Sequence, residues 1–214
     1  ATLPPGETVP INGVITGPRD HEWRSDSGAT VIWAEALDKG DLKVTVPQRD
    51  KVLALPAPFT GGPTEIARTE WRFRNVSYTD KGLGLLSEFD RPSRRSRTWL
   101  LQAGAAPVKV FEWKTQDRYN APGTPLRQPG RDTVHQVGSS IFLTGPGASP
   151  EGERPFLDRL DLSTLKTERL FRCDASSYET VIGVLDEDAA RLVTRRESKT
   201  DPPNVFVRTR SNGA

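Results

Sequence analysis

Four short apolar runs recur along this 214-residue chain at nearly equal intervals. The marker residues Glu35, Glu88, Thr144 and Arg195, one in each run, are separated by 53, 56 and 51 residues. A regular period of this size means that one supersecondary unit is repeated, and it constrains the fold more than any other feature. The four runs are VIWAEAL (31–37), LGLLSEF (83–89), SIFLTG (140–145) and RLVTRRE (191–197).

Each run belongs to a similar series of short stretches with alternating apolar residues. A more polar stretch precedes each run, and the tripeptide E-W-R occurs in the first two of them. A turn and a second alternating stretch follow each run, and a third stretch follows three of the four. Alternation over such lengths is typical of β-strands. The second stretches are 42–48, 96–102, 154–162 and 204–210, and the third stretches are 51–57, 108–113 and 167–173.

Four antiparallel strands repeated about every fifty residues indicate β-propeller blades, because each small sheet buries its faces only by stacking on neighbours. The predicted fold is all-β: a partial β-propeller with about three complete four-stranded antiparallel blades and a truncated fourth. Predicted blades occupy residues 19–68, 69–131, 132–177 and, incompletely, 178–214, after an inter-blade connection at 1–18. The alternative is a β-sandwich, which accounts for short strands but not for four similar series in order.

Composition excludes several classes of partner. There are 30 basic and 28 acidic residues, and a net charge of +2 gives no general attraction to nucleic acid or an anionic membrane. No apolar run approaches the roughly 18 residues of a membrane span, and the N-terminus lacks a signal-peptide pattern. The single cysteine, Cys173, excludes an internal disulfide. Methionine is absent, so we expect an internal piece of a longer protein.

The stretch GPGASPEGE (145–153) is open to two interpretations, a loop that serves chemistry or a connection between strands. A hydrolase-type nucleophile lies in G-x-S-x-G, which does not occur in the chain. Pro150 follows Ser149 and has no N–H to give to an oxyanion hole. The phosphate-binding pattern G-x-x-x-x-G-K-[ST] is also missing. The sequence therefore predicts a loop between blade strands, whose glycines supply positive φ and close backbone approach.

Other reactive residues form no convincing pattern. His21 and His135 are the only histidines, and their spacing from Cys173 and Asp174 does not support a thiol-type triad. A lone cysteine between apolar residues is more often a packing residue than a reactive thiolate. The acidic turn at 185–190 lacks the pattern of a calcium loop. The sequence therefore predicts no catalytic residue, no metal site and no cofactor.

Over most of its length the chain resembles the propeller region of glutamyl endopeptidase-like serine peptidases, a branch of the prolyl oligopeptidase family. The order and approximate spacing of the similar stretches fit as well. These stretches are TGPRDHEWRSDSGATVIWAEALDKGD, RDKVLALPAPF, RRSRTWLL, DRYNAPGTP, GASPEGERPFLDRLDLSTLKTERLF, YETV and RRESKTDPPN.

The resemblance implies a propeller that lies over the active site of an α/β-hydrolase domain, which carries the Ser, Asp and His of the triad. The expected function is thus non-catalytic gating or orienting of peptide substrate. The expected partners are the remaining blades, the hydrolase domain and the peptide. The alternative is a stand-alone propeller-like scaffold that binds a protein or peptide. The implied location is bacterial periplasmic or secreted, with a plastid as the alternative.

One basic cluster, RPSRRSRTW (91–99), is a candidate substrate contact. Arginine holds a carboxylate through a planar fork of donors, and an enzyme that cleaves after glutamate needs a cation for that side chain. Arg94, Arg95 and Arg97 fall in a stretch similar to the family. The alternative is a solvated hairpin tip whose charges protect a strand edge.

Overall fold

The computed structural model describes residues 8–210, and all regular secondary structure in this range is β-strand. The first seven residues of the predicted connection and the last four of the predicted incomplete blade lie outside the described residues. Contacts between residues divide the chain into two compact units. The first runs to Tyr78 and includes Gly82–Glu112, and the second comprises Thr79–Lys81 and the chain from Trp113 onward.

The first sheet lies in the first unit and has four antiparallel strands in chain order. Its second strand is the first apolar run, and three consecutive residues at the centre of this strand are buried. Consecutive strand residues point to opposite faces, so both faces of this strand are covered. The strands are β1 (Arg19–Trp23), β2 (Thr30–Ala36), β3 (Asp50–Pro56) and β4 (Thr64–Thr69).

The predicted strand at 42–48 is wrong, because this segment is a loop. The Asp41 carboxylate accepts the Lys43 N–H at 2.9 Å, and the Asp41 carbonyl accepts the Val44 N–H at 3.1 Å. The Arg49 guanidinium donates to two carbonyls of the loop, both at 3.3 Å. These local bonds satisfy the backbone without a sheet partner. The third strand of this blade is therefore β3, and the fourth is β4, which the sequence analysis did not assign.

The second sheet has four antiparallel strands in chain order, as predicted. The second apolar run forms its second strand, and the two stretches that follow form the third and fourth. A bulge between Phe73 and Asn75 interrupts the pairing of the first two strands. The strands are β5 (Arg72–Tyr78), β6 (Gly84–Asp90), β7 (Arg95–Leu101) and β8 (Val108–Lys114).

The third sheet has a divided first strand. Two short strands, β9 (Thr124–Pro125) and β10 (Gln136–Val137), pair with opposite ends of β11 (Ser140–Gly145). The predicted third blade begins at residue 132, but β9 lies before that residue. The sheet continues with β14 (Phe156–Asp161) and β15 (Thr167–Arg172), and the hairpin β12 (Ala148–Ser149) and β13 (Gly152–Glu153) is inserted between β11 and β14.

The fourth sheet has three antiparallel strands, β16 (Tyr178–Val184), β17 (Arg191–Glu197) and β18 (Asn204–Thr209). Within residues 8–210, β18 pairs only with β17, whereas β3 and β14 are flanked on both sides. Five of the six β18 residues are exposed as a result. This sheet corresponds to the predicted fourth blade, with three strands among the described residues.

Each compact unit stacks two sheets on one apolar core. A four-residue group from β2 and β3 meets a four-residue group from β5 and β6 in the first unit. In the second unit, β11, β14 and β15 meet β16 and β17. Burial at about 25 cal/mol per Å² makes such stacking the main stabilising term. The core residues are Ile32, Ala34, Val52, Ala54, Phe73, Val76, Tyr78 and Leu86, and then Phe142, Leu157, Leu170, Val181, Val184, Ala189 and Leu192.

The repeat seen in the sequence is the repeat of the fold. The four apolar runs are β2, β6, β11 and β17, and each is followed by its antiparallel partner within its own sheet. The all-β partial propeller is therefore confirmed, and residues 8–210 form three four-stranded blades and a three-stranded fourth.

Candidate functional site

The predicted substrate-binding arginines lie at the turn between β6 and β7 and along β7. Arg94 occupies the turn with a φ of 54° and is exposed. The Asp90 carboxylate accepts the Ser93 N–H at 3.0 Å and holds this turn. Arg95 and Arg97 are two residues apart on β7, so they point to the same face of the sheet. The fold thus brings Arg95 and Arg97 to one face of the sheet and leaves Arg94 in the adjacent turn.

Arg95 and Arg97 share the carboxylate of Glu112 on β8. Arg95 Nη1 lies 2.5 Å from Glu112 Oε1, and Arg97 Nε lies 3.1 Å from Oε2. Lys109 Nζ reaches the same Oε2 at 3.0 Å. The Lys109 hydrogen bond, followed by the effects of Arg97 and Arg95, holds the pKa of Glu112 below its ordinary value. Glu112 is therefore a charged partner for both arginines.

Arg97 is the most enclosed of the three arginines. Its Nη1 lies 2.7 Å from Glu70 Oε2 and 3.5 Å from Glu88 Oε1, and its guanidinium lies 3.5 Å from the centre of the Trp71 ring. Burial acts to lower the pKa of Arg97, but the Glu70 hydrogen bond and the nearby glutamate charges outweigh it and raise the pKa. The sequence analysis missed these carboxylates, and the substrate-binding role of the arginines stays a prediction.

A cleft of about 190 Å³ is lined by Glu70 and Glu88, the carboxylates that lie near Arg97. Glu88 is fully buried there: its Oε1 accepts the Trp99 indole N–H at 2.8 Å, and its Oε2 accepts the Trp71 backbone N–H at 2.8 Å. Both oxygens are engaged by the fold, so Glu88 fixes the position of Trp99 in the cleft wall. The apolar part of the wall comprises Ala67, Leu86, Leu101 and Pro107.

The glycine-rich stretch, predicted as a loop between blade strands, is a short hairpin that connects two strands of the third blade. Its strands β12 and β13 pair through Ala148↔Glu153 and Ser149↔Gly152. Gly147 has a φ of 59°, and a Cβ at this position would lie 2.0 Å from the Arg154 carbonyl oxygen. Only glycine fits such a close approach.

Ser149 is occupied by its own turn. Its hydroxyl lies 2.7 Å from the Gly152 carbonyl oxygen and 3.0 Å from Glu151 Oε2. The two histidines are used elsewhere, since His21 stacks on Trp33 and His135 stacks on Phe142. No histidine in the described part of the chain hydrogen-bonds to Ser149, and a nucleophile needs such a base.

A polar cleft of about 330 Å³, which we call the hairpin cleft, lies where the loop after β8 meets the inserted hairpin. The loop is held by Asp117, whose carboxylate accepts the Asn120 N–H at 3.2 Å and the Asn120 side-chain amide at 2.8 Å. Both segments belong to stretches that resemble the peptidase family. The lining residues are Gln116, Arg118, Tyr119, Ala148, Ser149, Gly152 and Glu153.

An ion pair crosses the hairpin cleft. Arg118 Nη2 lies 2.7 Å from Glu153 Oε1, and the Tyr178 hydroxyl donates to Glu153 Oε2 at 3.2 Å. Burial, and then the Glu153 hydrogen bond, raise the pKa of Tyr178, so its hydroxyl keeps the proton that it donates. The sequence analysis missed this pair because the partners are 35 residues apart, although both lie in family-like stretches.

Cys173 is a buried packing residue. The Glu179 N–H donates to its Sγ at 3.1 Å, and Sγ lies 3.0 Å from the Ser177 carbonyl oxygen. In the acidic turn at 185–190, Asp186 lies 2.8 Å from Arg191. Across residues 8–210, no three His, Cys, Asp or Glu side chains are grouped to hold a metal ion. The same range has no helix with the length and apolarity to cross a membrane.

Curated relatives align with almost the whole chain. "Probable glutamyl endopeptidase, chloroplastic" from Arabidopsis thaliana is 34% identical over 224 residues, which cover 93% of this chain and 23% of that protein. The protein of the same name from Oryza sativa subsp. japonica is 32% identical over 229 residues, which cover 96% of this chain and 24% of that protein. The chain therefore spans about a quarter of the length of these relatives. No family model matches it.

A solved structure with a similar fold is the β-propeller domain of the Trilobed protease from Pyrococcus furiosus. It aligns with a TM-score of 0.48 at 10% identity and covers 94% of this chain and 56% of that one. The kinship itself rests on sequence, at about a third identity over nearly every residue. The chain is a homologue of the propeller region of the glutamyl endopeptidases.

Proposed function

We propose that this chain is the non-catalytic propeller segment of a serine peptidase and that it gates or orients peptide substrate over a separate α/β-hydrolase domain. The extent of the sequence alignment supports the proposal, because 93% of the chain aligns with a probable glutamyl endopeptidase and the alignment covers only 23% of that protein. The remaining length leaves room for further blades and a hydrolase domain. These two parts and the peptide substrate are the proposed partners of this chain.

The chemistry of the chain supports a role without catalysis. Acyl transfer by serine needs a nucleophile bonded to a base and backbone donors for the oxyanion. Ser149 is bonded within its own turn, and Pro150 has no N–H to donate. The triad is therefore assigned to the partner domain, and the propeller acts on which peptides reach it.

We also propose that Arg94 and Arg95 contact acidic substrate side chains and that Arg97 positions Arg95. Arg94 and Arg95 are exposed, and a substrate carboxylate would replace Glu112 at Arg95. Arg97 is enclosed by Glu70 and the Trp71 ring, so it supports its neighbour on the sheet rather than reaching outward. In the parent enzyme, R95Q is expected to lower kcat/KM for glutamate-containing peptides more than for neutral ones, and R97Q is expected to impair folding.

The decisive experiment uses the complete reading frame that contains this chain. The frame is expected to encode a G-x-S-x-G serine and a later histidine, and its product is expected to hydrolyse glutamate-containing peptides. The chain alone is expected to be inactive in the same assay. A frame without these residues, or hydrolysis by the chain alone, would overturn the proposal.

The second candidate function is a stand-alone scaffold that binds a protein or peptide. It is favoured by β18, whose side chains Val205, Phe206 and Val207 are exposed at a strand edge. Open edges accept an added strand from a partner. Two results together would select this function. The reading frame would begin with Met and end near Ala214, and a bound partner would protect the β18 amides from hydrogen exchange.

A further inference from the structure

We propose that Arg118 in the hairpin cleft binds a carboxylate of a peptide ligand, and that Glu153 occupies this position until the ligand displaces it. The inference rests on the proposed function, since it names the residue that recognises the peptide. It concerns residues other than Arg94, Arg95 and Arg97.

The hairpin cleft has the composition of a recognition site. Its lining includes three side chains with polar groups that can bind a ligand, those of Gln116, Arg118 and Tyr119. Its volume of about 330 Å³ accommodates an amino-acid side chain. A few polar groups placed in a concave site are what fixes a ligand's orientation. Tyr119 is exposed, and its ring offers a surface against which a peptide packs.

The loop is shaped before a ligand arrives. The Asp117 carboxylate binds both the backbone and the side chain of Asn120, and the Asp117 N–H donates to the Lys114 carbonyl at 2.9 Å. These bonds hold the residues on either side of Arg118. A preformed loop lowers the entropy that a ligand must overcome.

Glu153 shows what the site accepts. Its carboxylate lies 2.7 Å from Arg118 Nη2 and 3.2 Å from the Tyr178 hydroxyl, so one guanidinium and one phenol already bind a carboxylate here. A ligand carboxylate would take the same two donors. The occupant is therefore an internal substitute for the ligand.

The exchange costs little free energy. The Arg118 side chain is 68% exposed and that of Glu153 is 37% exposed, and a pair this accessible is only weakly stabilising. The Glu153 backbone is fixed by the hairpin, because the Arg154 N–H donates to the Gly147 carbonyl at 2.9 Å. Glu153 therefore leaves Arg118 by side-chain rotation, without unfolding β13.

Binding to the 214-residue chain tests this exchange directly. Three short peptides of equal length are titrated by calorimetry: an amidated peptide with a central Glu, its Gln counterpart, and the Gln peptide with a free C-terminus. The first and third compare a side-chain carboxylate with a C-terminal one, and the second is the neutral reference. We expect either carboxylate peptide to bind about tenfold tighter than the reference.

Two variants and a matched control test in which direction each residue changes the preference for carboxylate peptides. R118Q is expected to remove the preference for carboxylate peptides, and E153Q is expected to strengthen it severalfold because the internal competitor is gone. R127Q is the control, since Arg127 is another exposed arginine, 3.2 Å from Asp132 and outside the cleft. It is expected to bind like the unmodified chain. Amide NMR spectra confirm that the hairpin is retained in each variant.

The outcomes separate this inference from the proposed function. An unchanged preference in R118Q, weaker binding by folded E153Q, or equal binding of all three peptides overturns the exchange at Arg118. None of these results depends on hydrolysis. A reading frame without a hydrolase domain would overturn the proposed function while leaving a carboxylate preference measured here intact.

Discussion

Replacing Asp50 with asparagine tests whether a buried ionic network holds the first two blades together. Asp50 begins β3 and is fully buried. Its Oδ1 accepts Arg72 Nη1 at 2.6 Å, and its Oδ2 accepts the Phe73 N–H at 2.7 Å. Arg72 and Phe73 belong to β5, so this one carboxylate joins strands of two sheets in the first unit.

The network extends beyond this pair. Arg72 Nη2 donates to Asp38 Oδ2 at 2.6 Å, and the Asp38 carboxylate also accepts Arg49 at 2.8 Å. Arg19 Nη2 lies 2.7 Å from Asp50 Oδ2 as an ion pair without hydrogen-bond geometry. Arg72 is therefore doubly bound, whereas Arg19 relies mainly on Asp50.

The expected cost follows from the charges that remain. D50N keeps the shape of the side chain but leaves Arg19 and Arg72, whose side chains are 6% and 11% exposed, without its charge. Removing one member of a buried pair costs about 3–5 kcal/mol, because the other charge stays buried. Arg72 retains Asp38, so we expect the lower end, about 3 kcal/mol.

Urea unfolding followed by tryptophan fluorescence measures this loss. Four of the five tryptophans lie in the first unit, so the signal reports mainly on the two blades that Asp50 joins. The control is E65Q, because Glu65 and Arg68 form an exposed pair at 2.7 Å whose loss is expected to cost below about 1 kcal/mol. A D50N loss as small as that of E65Q would refute the reasoning that the network stabilises the folded state.

Four further outcomes follow from the structure. The Cys173 thiol is expected to be inert to Ellman's reagent in the native chain and reactive in urea, because it is buried. Fluorophosphonate probes are expected to leave Ser149 unlabelled, as intact mass will show. Hydrogen bonds from the Ser176 hydroxyl and then the Ser176 N–H lower the pKa of Asp174 from 3.8 to about 2. The contribution of Asp174 to folding stability is therefore present above pH 3.8 and is lost as the pH falls toward 2. Carboxyl NMR is expected to show a higher Asp174 pKa in S176A. G147A is expected to destabilise the inserted hairpin and to speed its amide exchange, because the new Cβ would meet the Arg154 carbonyl.

Periodicity was enough to predict the blades because a similar series of alternating stretches recurs in every copy. Each run that became β2, β6, β11 or β17 contains at least two buried residues, so the pattern is visible in the chain itself. The absence of a G-x-S-x-G serine was equally readable, since that feature is local. The glycines of 145–153 predicted a loop between blade strands, but not the short strands β12 and β13 within it.

Strand assignments failed where local bonds or distant pairing outweighed alternation. The segment 42–48 alternates like a strand, yet Asp41 and Arg49 satisfy its backbone as a loop. The strand β4 carries few apolar residues and was missed, because its place depends on pairing with β3. The division of the first strand of the third blade into β9 and β10 is likewise visible only after β11 is in place.

The sequence by itself determined the repeat, the all-β fold and the lack of a local nucleophile motif, because those depend on residue types at short separations. Only the tertiary structure decided which charges face each other. It placed Glu112 beside Arg95 and Arg97, and Glu153 beside Arg118, across strands and loops between 15 and 35 residues apart. A charge acts through distance in space, and no periodicity along the chain records the distance that folding sets between two side chains.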